Sequence, residues 1–251
     1  MIIDGHCHMG TSWLGWQKNE VVMERLLEIY DQFGVDKACL SATQITYDTE
    51  VGNKETYAYL KKYPKRLVGF GIISPRDRKN ALDEIKRCVN EYGFKGLKLH
   101  PTVNEYMIDS TLVDPVVDLA NSFSLPILIH SGPDSFAHPR MIGTLAERHP
   151  EVIMIIAHMG GSAWLEAVEM AKKYKNIFID TADISDEVYI IPTAVEVAGS
   201  NKIIWGTDVP DLNLAVELSK INSADLYGKV TQKDKELILG GNIAHILGIE
   251  F

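Results

Sequence analysis

Five of the chain's eight histidines stand where short apolar runs end: His6 and His8 in Asp4-Gly5-His6-Cys7-His8, His100 after Lys98-Leu99, His130 after Ile127-Leu128-Ile129, and His158 after Ile155-Ile156-Ala157. The run Ile203-Ile204-Trp205-Gly206-Thr207-Asp208 ends in a carboxylate instead. Imidazole and carboxylate are the neutral and anionic ligands of borderline divalent metals, and a catalytic site takes about three or four of them with one position open. Groups at the ends of successive strands meet at one point only if the strands close into a barrel. The chemistry these residues suggest is metal-assisted catalysis at a barrel mouth.

His6 and His8 lie two apart, so on a strand both rings leave one face with Cβ atoms roughly 6 to 7 Å apart, within reach of one ion. Taken alone, either is as well explained as a satisfied core histidine. His130 precedes Ser131-Gly132-Pro133, a turn that would expose its ring, and His158 precedes Met159-Gly160-Gly161, where glycine permits positive φ. Each alone reads equally as a buried hydrogen-bonding group. At a strand end the Asp208 carboxylate is costly unless coordinated or hydrogen-bonded, with helix capping as the plainer alternative. Around the fourth run Leu97 and Leu99 share one parity and Lys98 and His100 the other, so the polar pair is expected to face inward.

The elements that must position these groups are eight apolar runs, at 1–8, 37–42, 67–74, 96–101, 126–131, 152–158, 176–180 and 202–208. Longer amphipathic stretches separate them: 22–33 sets Leu26, Leu27 and Tyr30 on one face, and 81–92 does the same with Leu82, Ile85 and Val89. Strands alternating evenly with helices predict a parallel sheet closed into a single (β/α)8 barrel over 1–251. The segment 237–248 predicts a closing helix presenting Ile238, Ile243, Ile246 and Leu247.

Composition narrows the function classes. A formal charge of −9, with Lys and Arg dispersed, offers no basic patch for a phosphate backbone, so nucleic acid is not an expected partner. No apolar stretch reaches the roughly 18 to 20 residues of a membrane span, and residues 1–30 lack the pattern of a signal peptide, so no membrane partner and a cytoplasmic location are expected. Cys7, Cys39 and Cys88 are odd in number and widely spaced, as suits reduced thiols.

At this point the chain resembles the amidohydrolase superfamily, and within it the metal-dependent barrel hydrolases and decarboxylases that include aminocarboxymuconate semialdehyde decarboxylase. The resemblance rests on Asp4-Gly5-His6-Cys7-His8, Gly96-Leu97-Lys98-Leu99-His100-Pro101, Ile129-His130-Ser131-Gly132, Ala157-His158-Met159-Gly160-Gly161, Gly206-Thr207-Asp208 and Gly240-Gly241-Asn242-Ile243-Ala244. It implies that His6, His8, His130 and Asp208 hold one divalent metal, zinc with manganese as the alternative. It further implies that Asp208 also handles a proton and that His158 is the catalytic histidine. A homodimer is compatible with it.

Lys98 carries three readings: a carboxylated lysine bridging two metals, a cation for a substrate carboxylate, or an ammonium paired with Asp4 or another inward acid. The second and third are preferred. His100 is a candidate substrate contact or a support for the ligands. His138 and Arg140 follow the fifth run and could bind an anionic group, or be solvated loop charge. Asp180 is a candidate substrate contact, with an N-cap or a partner for Lys98 as its alternatives. Trp13 and Trp16, with Gly10 and Gly15 as hinges, could close over a planar substrate. Arg76 and Arg78 read most simply as surface charge.

The expected function is a metal-dependent hydrolase of a small, carboxylated molecule through a metal-activated water, with a non-oxidative decarboxylase as the alternative. A non-catalytic binding barrel and a metal-free lactonase are further readings.

Overall fold

The structure is a computed structural model that describes residues 1–9, 23–43 and 48–250. Trp13 and Trp16, with Gly10 and Gly15, lie outside the described residues. Eight parallel strands run in sequence order: β1 (Ile3–Met9), β2 (Lys37–Ala42), β3 (Leu67–Ile72), β4 (Gly96–Leu99), β5 (Ile127–Ile129), β6 (Met154–Ile156), β7 (Ile177–Asp180) and β8 (Ile203–Ile204). The helices between and after them are α1 (Met23–Phe33), α2 (Thr49–Lys62), α3 (Lys79–Asn90), α4 (Asp114–Ser122), α5 (Pro139–Arg148), α6 (Trp164–Lys173), α7 (Ile190–Ala198), α8 (Leu214–Asn222), α9 (Gln232–Glu236) and α10 (Asn242–Leu247). Backbone bonds from Gly5 N to Trp205 O (2.9 Å) and from Asp208 N to His6 O (2.8 Å) join the last strand to the first. The result is the (β/α)8 barrel that the alternation predicts.

The two parities of each strand feed two cores. Outward residues such as Cys7, Leu97, Leu99, Ile127 and Ile129 join the helix faces in one continuous apolar layer. Inward residues at the lower end of the barrel, among them Ile3, Phe70, Leu128, Ile155 and Ile204, form a second cluster that Ile243 and Ala244 of α10 plug from below. α1 buries Leu26, Leu27 and Tyr30 as its spacing predicts. On α3 the stripe is rotated: Ala81, Ile85 and Cys88 are buried, and Leu82 and Val89 pack at its margin.

The closing helix at 237–248 is not continuous. Leu237–Gly241 forms a wide π turn before α10 begins. A Cβ at Gly240 would stand 2.3 Å from the Met1 carbonyl oxygen, so the backbone comes too close to the start of β1 for any side chain there. Among the described residues no helix is long and apolar enough to cross a membrane.

Candidate active site

The sheet ladders stop just short of His100, His130, His158 and Asp208, so these side chains leave the upper strand ends, where barrel active sites form. On β1 both His6 and His8 face inward. His6 is fully buried, and Gly206 makes room for it, since a Cβ there would lie 2.8 Å from His6 Cβ.

Asp180, at the end of β7 and fully buried, organises one wall. Its Oδ2 accepts from His6 Nδ1 at 2.9 Å, and its Oδ1 accepts from the backbone N–H of His158 and of Ala182, both at 3.0 Å. The His158 bond pins a segment whose residues His158, Met159 and Gly160 have φ of 57°, 46° and 77°. Left-handed geometry costs a non-glycine residue about 1–2 kcal/mol, so it persists only where neighbours impose it. His158 Nδ1 donates to the Ala182 carbonyl at 3.1 Å, which aims Nε2 at His130 Nδ1, also 3.1 Å away.

Asp4 performs the same service between β1 and the loop after β8. It accepts the Tyr30 hydroxyl at 2.6 Å, the backbone N–H groups of His6 (3.0 Å) and Thr207 (3.1 Å), and the Thr207 hydroxyl. Asp4 therefore does not pair with Lys98. Thr207 so held places Asp208, itself at φ 54°, against β1.

His6 Nε2, His8 Nε2 and Asp208 Oδ1 converge: His6 and His8 are 3.1 Å apart, His6 and Asp208 3.3 Å, His8 and Asp208 3.1 Å. Ligand bonds of about 2.0–2.1 Å in a tetrahedral site separate neighbouring donors by roughly 3.3 Å, so this set fits a divalent ion. The Nδ1 atoms support that fit. His6 Nδ1 donates to Asp180, and His8 Nδ1 has Ser41 Oγ at 3.0 Å to receive its proton, which leaves both Nε2 lone pairs for a metal. The donor atoms of His6, His158 and Asp208 likewise all lie within 4.8 Å of one another. His130 sits behind them, its ring stacked on His100 with centroids 3.8 Å apart.

Lys98 enters from below, 1% exposed, and its Nζ donates to His6 Nε2 at 2.7 Å. The converging lone pairs demand positive charge, and here the ammonium provides it. Burial lowers Lys98 to about 8 against the pull of Asp208 and Asp180. Burial, and then the Lys98 charge, lowers His6 to about 4 and His100 to about 2, and burial with His100 and His158 nearby drives His130 far below its usual value. These three rings are neutral at pH 7.

His8, Lys98, His100, His130, His158 and Asp208 line a cavity of about 430 Å³, with Thr43, Thr102, Val103, Asp183 and Leu212 among its walls. His138 is not among them: it caps α5, its Nδ1 accepting from Arg140 N at 3.3 Å. Nor is Asp180, which is spent on His6 and two backbone groups. Arg76 holds the carbonyls of Asn104 and Glu105 at the surface, and Arg140 faces Glu169 at 3.7 Å. Sequence reasoning did not find Ser41 or the structural role of Asp4. The signal for Ser41 was its parity with inward Cys39 on β2.

A family model described as amidohydrolase matches residues 3–249. Among curated proteins, the 2-amino-3-carboxymuconate-6-semialdehyde decarboxylase of Dictyostelium discoideum is 23% identical, over 74% of this chain and 62% of its own length. The chain thus spans less than two thirds of that relative. Among solved structures, 5-carboxyvanillate decarboxylase from Sphingomonas paucimobilis superposes with a TM-score of 0.77 at 18% identity, covering 99% of both chains. The manganese-bound dihydroxybenzoic acid decarboxylase from Polaromonas sp. JS666 gives a TM-score of 0.75 at 16% identity, covering 99% of this chain and 97% of its own. These matches correct the expectation of a hydrolase, because the relatives just named are decarboxylases.

Proposed function

This chain belongs to the amidohydrolase family, and on that footing we propose that it is a metal-dependent, non-oxidative decarboxylase of a small organic acid. The observation that carries the reading is the convergence of His6 Nε2, His8 Nε2 and Asp208 Oδ1 within 3.3 Å of one another above a buried ammonium. Relatives named for decarboxylation support it.

The proposed ligands are His6, His8, His130 and Asp208, and the metal is zinc or manganese. His130 is assigned with them because its Nδ1 is occupied against His158 Nε2, which leaves its own Nε2 as a donor. When bound, the ion supplies positive charge that orients a substrate carboxylate and stabilises the electrons left on carbon. Lys98 draws the acid to the cavity floor.

Cleavage leaves the carbon with an electron pair that takes up one proton. His158 is placed to relay it: Ala182 O accepts only, so Nδ1 keeps its proton throughout, and the Nε2 lone pair takes a proton from solvent and passes it to the carbon. Asp208, a ligand through Oδ1, is the second proton-handling group. Incubation of the metal-loaded protein with a panel of aromatic and unsaturated carboxylic acids, with carbon dioxide as the readout, tests the proposal.

A further inference from the structure

The histidines of the site are not oriented alike. His6 Nδ1 faces a carboxylate oxygen of Asp180 at 2.9 Å and His158 Nδ1 faces the Ala182 carbonyl at 3.1 Å. Both partners only accept, so each ring carries a proton on Nδ1 and turns Nε2 toward its neighbours. His100 is the reverse. The backbone N–H of Val103 donates to His100 Nδ1 at 3.3 Å, so Nδ1 holds a lone pair and the ring proton sits on Nε2.

Two contacts hold the His100 ring in place. Val103 fixes one edge, and the face lies on His130 with centroids 3.8 Å apart and planes 15° from parallel. The ring lines the cavity, and no described residue receives its Nε2–H. An N–H so fixed is closed to a metal at Nε2 and can serve only as a neutral donor. Lys98 precedes it by two residues on the same side of the same chain segment, so their Cβ atoms are roughly 6 to 7 Å apart. A charged donor and a neutral donor are thereby set side by side.

We propose that His100 is a specificity-determining residue that donates Nε2–H to an uncharged oxygen of the substrate, a hydroxyl, ether or keto oxygen carried near the carboxylate that Lys98 attracts. The inference rests on the reading of this cavity as the site of an acid-binding decarboxylase. The substrate class it names is an oxygenated carboxylic acid of about one ring in size, which suits a cavity of about 430 Å³. A bare acid would leave this N–H without its substrate partner, and sites built around such a bond discriminate by roughly 10- to 100-fold or more.

The test has two readouts that need no turnover. In the zinc-loaded protein, nitrogen-15 NMR, with His100 assigned by its loss in His100→Phe, is expected to show a protonated Nε2 and an unprotonated Nδ1. Calorimetric titration then compares benzoate with 2-, 3- and 4-hydroxybenzoate in wild type, His100→Phe and His100→Gln. The expected result is that at least one hydroxylated acid binds wild type 10- to 100-fold more tightly than benzoate, that Phe removes the preference, and that Gln restores part of it. A proton on Nδ1, no preference in wild type, or a preference that survives Phe overturns the proposal. If the Phe variant does not fold, the nitrogen assignment by His100→Gln and the wild-type preference decide. Failure of the decarboxylase reading shows separately, as binding without release of carbon dioxide.

Discussion

Asp180 accepts a hydrogen bond from His6 Nδ1 at 2.9 Å with neither side chain exposed, so a carboxylate from the seventh strand fixes the tautomer of an imidazole on the first. Its second oxygen holds the backbone of His158 and Ala182. Burial acts to raise the Asp180 carboxyl, but the hydrogen bond from His6, with the Lys98 charge nearby, outweighs burial and holds it below the usual range. Asp180→Ala should therefore weaken metal binding by about 10- to 100-fold, the usual effect of removing the partner of a ligating histidine. Titration with zinc in a competing chelator measures it. Wild-type affinity in the variant would mean that His6 needs no such orientation.

One divalent ion per chain is expected. Replacing His6 and His8 together by Ala should abolish stoichiometric metal, read by elemental analysis, while the barrel stays folded, because its packed lower interior does not depend on them. Lys98→Ala should keep the single ion and raise KM for acids. Two ions per wild-type chain would make Lys98 a carboxylated bridge.

His158→Asn should retain metal and melt near the wild-type temperature but lose roughly 10²-fold or more in kcat, the worth of a positioned proton donor. Loss of the ion would make His158 a ligand, a reading compatible with its place within 4.8 Å of His6 and Asp208.

Glu217 on α8 is 3% exposed; its Oε1 meets Lys220 Nζ at 2.8 Å, and Oε2 has no hydrogen-bond partner among the described residues. Burial raises its carboxyl to about 7 despite Lys220. A carboxyl whose folded value lies above its unfolded value near 4.5 holds its proton more tightly when folded. Its contribution is complete below pH 4.5 and is lost as pH rises through 7. Glu217→Gln should thus be neutral at pH 5 and at pH 8 stabilise the fold by on the order of 1–2 kcal/mol after discounting for solvent screening, seen as a higher Tm. Differential scanning calorimetry at the two pH values checks the sign, and equal effects at both would contradict it.

Alternating parity made the barrel and its inward groups legible in the sequence: Lys98 between Leu97 and Leu99, and Cys7 between His6 and His8, stand as the period of two requires. The limits of the strands were less legible. Apolar character continues through Trp205 after the β8 ladder ends at Ile204, because that chain turns to bond with β1 and the closing segment. The helix cap His138 and the organiser Asp180 were not separable from cavity residues, since one follows a strand, the other ends one, and only tertiary packing decides which way each faces. Asp4 was hidden for the same reason: its partners Tyr30 and Thr207 are 26 and 203 residues away.

The most direct test of the account is carbon dioxide release by metal-loaded protein from oxygenated aromatic and unsaturated acids, measured before and after chelation and after adding the metal back. The account predicts one carbon dioxide per acid consumed, with the carboxyl carbon replaced by hydrogen from solvent, activity lost on chelation and restored by zinc or manganese. Metal-loaded protein that releases none from any such acid, yet hydrolyses esters, lactones or amides, would contradict it.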